Sequence, residues 1–194
     1  DPYLATTAYA HQAKNLGVQI FCGTQVLDLK ADGMVKSVST SASDFEAPHV
    51  IISAGGWTAS LCASLGVEIP LELSLHKVIT LSIEEPYSKK WPIVKDLTTE
   101  DKIYFRPDSG GVMLVGTGDH GESIEDPDNL TDDVDSEHVE RIARLMGKRM
   151  PAFSDAELVK SWTGPYDITP DWNPILGSLP GLEGVFVAAG FKIG

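Results

Sequence analysis

At 194 residues the chain is the size of one domain, or of one and part of another, and can bury roughly 70 % of its unfolded surface. Its 42 % hydrophobic and 22 % charged residues are those of an ordinary soluble globular protein. A net charge of −13 excludes the basic surface that non-specific nucleic-acid or anionic-membrane binding needs, and no apolar run approaches the ~20 residues of a membrane span.

The opening, DPYLATTAYAHQ, is no signal sequence; it lacks a Met, and the chain stops abruptly after AAGFKIG, so both ends read as cut. Residues 3–16 have helical spacing, with Leu4, Ala8, Ala13 and Leu16 along one side and Gly17 as the stop. VQIFCG follows, and then TQVLDLK and MVKSVSTS, two alternating segments whose ADG junction signals a hairpin. HVIISAGG is a short apolar strand running into a glycine pair, and WTASLCASLG is a compact helix ended by Gly66. Alternation from Glu72 to Ile83 predicts a long antiparallel strand. KIYFRP, GVMLVG and LVKSWTG are further strands, the first two joined by the turn DSGG. Between the last two lies a helix, DSEHVERIARLMGKRM, with Val139, Ile142 and Leu145 facing inward and Asp135 or Ser136 as its cap. Cys22 and Cys62 sit in apolar surroundings without metal-ligand spacing and are expected to be reduced, buried thiols, which fits a cytoplasmic compartment.

Residues 116–121, GTGDHG, match the dinucleotide fingerprint G-x-G-x-x-G and follow a strand. That fingerprint needs a helix opening at its third glycine. Here the chain continues ESIEDPDNLTDDVD, acidic and interrupted by Pro127, so neither a helix nor a phosphate is expected. Asp126, Asp128, Asn129 and Asp132 lack the glycine and distal glutamate of a calcium loop and read as a solvated loop. Ser109 in DSGG has no convincing His and Asp partners for a protease triad. The histidines at 11, 49, 76, 120 and 138 are dispersed, with no metal-ligand spacing, and read mostly as surface or packed residues. No metal site is expected.

Three stretches, in order, resemble one family. HVIISAGGWTASLCASLGVEIPLELSLHKVITL, YFRPDSGGVMLVG and SWTGPYDITPDWNPILGSLPGLEGVFVAAGF are similar to segments of FAD-dependent amine and amino-acid oxidoreductases of the D-amino acid oxidase superfamily, nearest sarcosine oxidase and dimethylglycine dehydrogenase. The resemblance implies an α+β fold: an antiparallel-sheet substrate domain at residues 70–163, flanked by incomplete Rossmann-like FAD-binding pieces at 1–69 and 164–194. It implies FAD contacts at Val26, at Ala54, Gly55, Gly56 and Trp57, and at Gly190 and Phe191. Tyr104 and Tyr166 match pocket tyrosines, and the two are expected to project into one cavity. Lys192 or Arg106 is the candidate cation for a substrate carboxylate, and His120 stands two residues beyond Gly118, where sarcosine oxidases carry a histidine. Gly164 replaces their flavin-tethering cysteine, and glycine-oxidase-like relatives carry an arginine at the position of Tyr166.

The implied activity is oxidation of a C–N bond in a secondary or tertiary amine or N-methylated amino acid, by hydride transfer to flavin. The rivals are a flavoprotein acting on hydroxy acids or glycerol phosphate, and a non-catalytic binding module that retains the fold. The partner is a small amine or amino acid; neither nucleic acid nor membrane is expected, and an oligomer is compatible with the sequence. The family's N-terminal fingerprint is absent from the chain, so these 194 residues alone are expected to be inactive and to purify without FAD.

Overall fold

The computed structural model describes residues 2–31, 36–83, 91–98, 100–118, 121–130 and 133–191. They form an α+β fold with two compact units, residues 1–69 with 176–189 and residues 70–175 with 190–194.

The first unit begins with α1 (Pro2–Asn15), stopped at Gly17, where φ is +89°. The helix expected at 3–16 is present, but its apolar side is not buried: Leu4 and Leu16 are 63 % and 84 % exposed, and the helix buries no residue. Its order comes from local bonds, including those from Thr6 and Thr7 hydroxyls to the carbonyls of Pro2 and Tyr3. VQIFCG forms no strand. Cys22 is exposed, against the expectation of a buried thiol; Cys62 is fully buried, and burial pushes its thiol up. Strands β1 (Val26–Lys30) and β2 (Lys36–Thr40) pair antiparallel, and β3 (Asp44–Ala47) extends their sheet. Strand β4 (Val50–Ile52) leads through a 3-10 turn, Gly55–Trp57, into α2 (Thr58–Ser64), whose stop is Gly66 at φ +77°.

The second unit is built on β5 (Glu72–Ser82). With β6 (Val94–Lys95), β7 (Tyr104–Asp108), β8 (Val112–Gly116) and β10 (Leu158–Ile168) it forms a sheet ordered β10-β5-β8-β7-β6. β9 (Glu122–Ile124) pairs with the start of β5, so part of the expected solvated loop is a strand. Register decides the two faces. Ile79 stands opposite Val115, and Val115 opposite Phe105, and with Leu81 and Met113 they pack against Ile142 and Met146 of α3 (Ser136–Arg149). The other face carries Ser74, His76, Val78 and Thr80 of β5.

Helix α3 follows its sequence closely. Val139, Ile142, Leu145 and Met146 recur at three and four residues, and the core takes all four. The extended Met150 before Pro151 ends it. Asp135 is the cap: one carboxylate oxygen accepts the His138 amide at 2.7 Å, and the other lies 2.9 Å from Lys77 Nζ. Lys77 first, then that amide, hold Asp135 down at about 2, below its usual ~3.9. Since the folded value is the depressed one, this stabilisation is complete above about pH 4 and is lost as pH falls toward about 2. Asp135→Asn is therefore expected to flatten the acid limb of thermal stability in that window. An acid limb of unchanged steepness in the variant counts against the assignment.

After β10 a short turn leads to β11 (Ile175–Ser178), and β12 (Val185–Ala189) completes a sheet ordered β11-β12-β4, with β12 and β4 parallel. The expected return at 164 cuts through β10. Because Gly164 to Ile168 continue the ladder with β5, the first unit resumes only at Leu176.

Candidate active site

The polar face of the second unit's sheet is where the chemistry-bearing residues gather. Tyr166 of β10 stands opposite Ser74, Gly164 opposite His76, and Trp162 opposite Val78. Val78 in turn faces Gly116 of β8, which faces Tyr104 of β7. Cross-strand partners share a face, so the ladder alone puts Tyr104, Tyr166 and His76 on one side. Their side chains then converge. Tyr166 acts electrostatically on the Tyr104 phenol. The His76 ring lies 4.2 Å from the Tyr166 ring, centroid to centroid, with the planes 30° apart. Burial first, then Tyr166, raises the Tyr104 phenol to about 12 against a smaller opposing pull from Arg106. Tyr104 is therefore a protonated phenol across the physiological range.

Arg106, two residues along β7 on the same face, is engaged: Nη1 donates to Asp108 at 2.9 Å and to the Pro107 carbonyl at 3.2 Å. Against the upward pull of burial, Arg106 and the Ser109 amide hold Asp108 below its ordinary value. Lys192 and His120 lie outside the described residues.

His76, one of the histidines read as surface or packed residues, is packed. It is only 6 % exposed, and Ser74 Oγ lies 3.2 Å from its Nε2. The available signal was alternation: Ser74, His76 and Thr80 share the face opposite Leu73, Leu75, Ile79 and Leu81. Alternation marks that face as polar, whereas the structure shows it buried at all three positions.

The three fingerprint glycines have packing reasons. A Cβ on Gly116 would fall 2.5 Å from the Tyr104 ring, which lies across β8 at that bare position. One on Gly118 would sit 3.0 Å from the Lys102 carbonyl, and one on Gly121 would run into the Leu75 carbonyl. A strand, β9, follows Gly121 where the dinucleotide motif would place a helix.

In the first unit, the turn after β4 leaves its backbone open. Gly55 has φ +52°, and no heavy atom lies within 4 Å of the place of its missing Cβ. The Ala54 amide donates to Thr58 Oγ1 at 3.1 Å, tying the turn to α2. Such bare, fixed backbone suits close approach of a cofactor. Trp57 and Val26 are 43 % and 40 % exposed beside neighbours of their own unit. Gly190 differs: at φ +74° its place is filled by Thr169, whose Cγ2 would lie 2.6 Å from a Cβ.

The profile of the DAO family, described as FAD dependent oxidoreductase, matches residues 1–193. The chain belongs to that family. It is 31 % identical to the mitochondrial pyruvate dehydrogenase phosphatase regulatory subunit of Mus musculus, over 95 % of the chain and 22 % of that protein. It is 27 % identical to mitochondrial dimethylglycine dehydrogenase of Homo sapiens, over 100 % of the chain and 24 % of that protein. Among solved structures, L-proline dehydrogenase from P. horikoshii superposes with a TM-score of 0.87 at 26 % identity, covering 98 % of the chain and 50 % of that structure. The chain thus spans about a quarter to a half of the length of these relatives. Among the described residues, no helix is long and apolar enough to cross a membrane.

The segment Thr169–Asp171 is a folding device here. Thr169 Oγ1 donates to the Asn173 carbonyl at 2.8 Å, and the Asn173 amide donates to Asp171 at 3.1 Å. Asp167, the residue after Tyr166, accepts the Gly190 amide at 2.7 Å. The segment therefore fixes the end of β10, and with it the place of Tyr166, through bonds that close within the second unit.

Proposed function

We propose that the full-length protein oxidises a C–N bond in a secondary or tertiary amine or an N-methylated amino acid. The observation that carries this reading is the cluster of Tyr104, Tyr166 and His76 on one sheet face, with the His76 ring against the Tyr166 ring. Aromatic rings around a substituted nitrogen supply apolar contact and cation–π attraction. An arginine at position 166 would hold the carboxylate of a simple amino acid; a tyrosine there favours the alkylated nitrogen instead. Arg106 and Lys192 are the candidate cations for any carboxylate. The names of two relatives, dimethylglycine dehydrogenase and L-proline dehydrogenase, support a substituted nitrogen.

FAD, when bound, supplies the acceptor for the hydride taken from the carbon next to nitrogen. Gly55, Gly56 and Trp57, with Ala54 and Val26, are the residues of the first unit that would hold it; Gly190 and Phe191 follow β12. The protein's own part is to orient the C–H bond, to exclude water and to let the amine be neutral when it reacts.

The test is anaerobic reduction of the flavin in the full-length protein. Sarcosine, dimethylglycine or proline should reduce it about tenfold faster than D-alanine, a margin typical of one or two alkyl contacts. A tenfold preference for D-alanine overturns the reading. Bound FAD that no amine reduces favours instead a non-catalytic member, in line with the resemblance to a regulatory subunit.

A further inference from the structure

The sheet face that carries Tyr104, Tyr166 and His76 continues beyond them. Trp162, Val78, Gly116 and Tyr104 form one row across β10, β5, β8 and β7, and Lys160, Thr80, Leu114 and Arg106 form the next. At about 3.3 Å a residue, the Trp162 row lies about 7 Å and the Lys160 row about 13 Å from the row of His76. Between the cluster and those rows the floor is apolar: the half-buried Val78, and Gly116 with the Tyr104 ring across it. Such a floor suits an alkyl chain better than a charge.

Past that floor a cavity of about 610 Å³ opens between β10 and the β7–β8 turn, lined by Thr80, Asp108, Gly110, Val112, Lys160 and Trp162. Small-molecule sites typically have about 300–1,000 Å³. A bulge shapes the β10 wall, where the register shifts between Leu158 and Lys160. Bulges re-aim the side chains beside them. The buried Thr80 hydroxyl fixes this one by donating to the Lys160 carbonyl at 3.2 Å. The Lys160 ammonium stands 5.6 Å from the centroid of the Trp162 ring, within cation–π range.

The two charges at this cavity are not equivalent. Asp108 accepts from Arg106 Nη1 at 2.9 Å, so its charge is already met. Among the described residues no carboxylate pairs with Lys160, which leaves the donors of its ammonium for a ligand. We propose that Lys160, held over Trp162, binds a carboxylate at the far end of the substrate. It thereby selects an N-alkylated amine whose carbon chain carries an acid about 7–13 Å from the reacting nitrogen. The inference rests on the amine-oxidising reading above and narrows its substrate class.

The substituted nitrogen meets the rings of Tyr104 and Tyr166, the chain crosses Val78, and the acid meets Lys160 beside Trp162. No bond forms or breaks at the Lys160 end, so its effect falls on substrate binding and not on hydride departure. Sarcosine, with one carbon between nitrogen and carboxylate, does not span that distance and gains nothing from Lys160. Lys160 serves a distal acid only, and Arg106 and Lys192 remain the candidates for a carboxylate next to the reacting centre.

The experiment uses the full-length, FAD-loaded protein and a matched pair of amines, N-methyl-ε-aminocaproate and N-methylhexylamine, which differ only in the terminal acid. The acid should have a KM about tenfold lower, as one charge-assisted hydrogen bond provides, with similar limiting rates of flavin reduction. Lys160→Gln should bring the ratio of the two KM values to about one. Lys160→Arg, which keeps the charge, should retain most of the preference, whereas a merely structural role would shift both substrates alike. A second readout needs no turnover: caproate titrated into the parent protein should change its tryptophan fluorescence. That response should need about tenfold more caproate in Lys160→Gln and vanish in Trp162→Phe. Equal KM values for the pair in the parent, or a preference that survives Lys160→Gln, overturns the proposal. A parent whose flavin no amine reduces overturns the underlying reading instead, and the caproate titration then still decides whether Lys160 holds an acid.

Discussion

Gly116→Ala in the full-length protein should slow flavin reduction by its amine substrate about 10²-fold while the fold survives, because the collision it creates is with a movable side chain. The new Cβ would lie 2.5 Å from the Tyr104 ring, and that ring, at the end of two free torsions, can swing away. In swinging it leaves its place beside Tyr166. Misplacing a substrate-positioning group by about 1 Å can cost 10²-fold in rate. The stability cost of such overpacking is about 1–3 kcal/mol. The decisive measurement is a double-mutant cycle with Tyr104→Phe. If Gly116 acts by placing the Tyr104 phenol, the second substitution adds little once the first is present. Fully additive losses would mean that Gly116 has some other role.

The second large effect lies one residue from Tyr104 and on the opposite face. Phe105 is 1 % exposed in the cluster formed with Ile79, Val115, Ile142 and Met146. Phe105→Ala should lower unfolding free energy by about 3–5 kcal/mol, the range for emptying a phenylalanine site in a packed core. That is a large part of the ~5–15 kcal/mol of a typical domain, so the denaturant midpoint should fall sharply. Tyr104→Phe should cost only about 0.5–1.5 kcal/mol, the scale of one phenolic hydroxyl. Denaturant midpoints of the two variants, read with the activity of each, separate the faces: the first loses structure, and the second loses rate at near-normal stability. A Phe105→Ala loss under about 1 kcal/mol would contradict the packing of α3 on this sheet.

Local chemistry made much of the molecule readable in one dimension. The alternation from Glu72 gives β5, the DSGG turn joins β7 to β8, and Asp135 with the three- and four-residue spacing of Val139, Ile142 and Met146 gives α3. In each case the determining atoms lie within a few residues of one another, so they act whatever the rest of the chain does. The order of the AGGW, YFRP and TPD segments likewise pointed to the family that the profile over residues 1–193 establishes.

What escaped was set by partners far along the chain. Whether a glycine is a phosphate cradle or a clearance depends on what lies above it: Tyr104 over Gly116, and the Leu75 carbonyl and Ser74 hydroxyl beside Gly121. The acidic segment after Gly121 looked unfit for structure, yet Glu122 to Ile124 find backbone partners on β5, 47 to 51 residues earlier, and Glu122 finds Lys77. Lacking its neighbours, β10 could not be seen to run on to Ile168, since only the ladder to Glu72 carries it past Gly164. His76 is the sharpest case. Its sequence neighbours mark a polar position on a strand, and the same period that puts Ile79 in the core would leave His76 in water. Only the covering of that face, with the Tyr166 ring 4.2 Å away and Ser74 at its Nε2, makes a buried imidazole of it, because burial is a property of the assembled sheet and of no residue by itself.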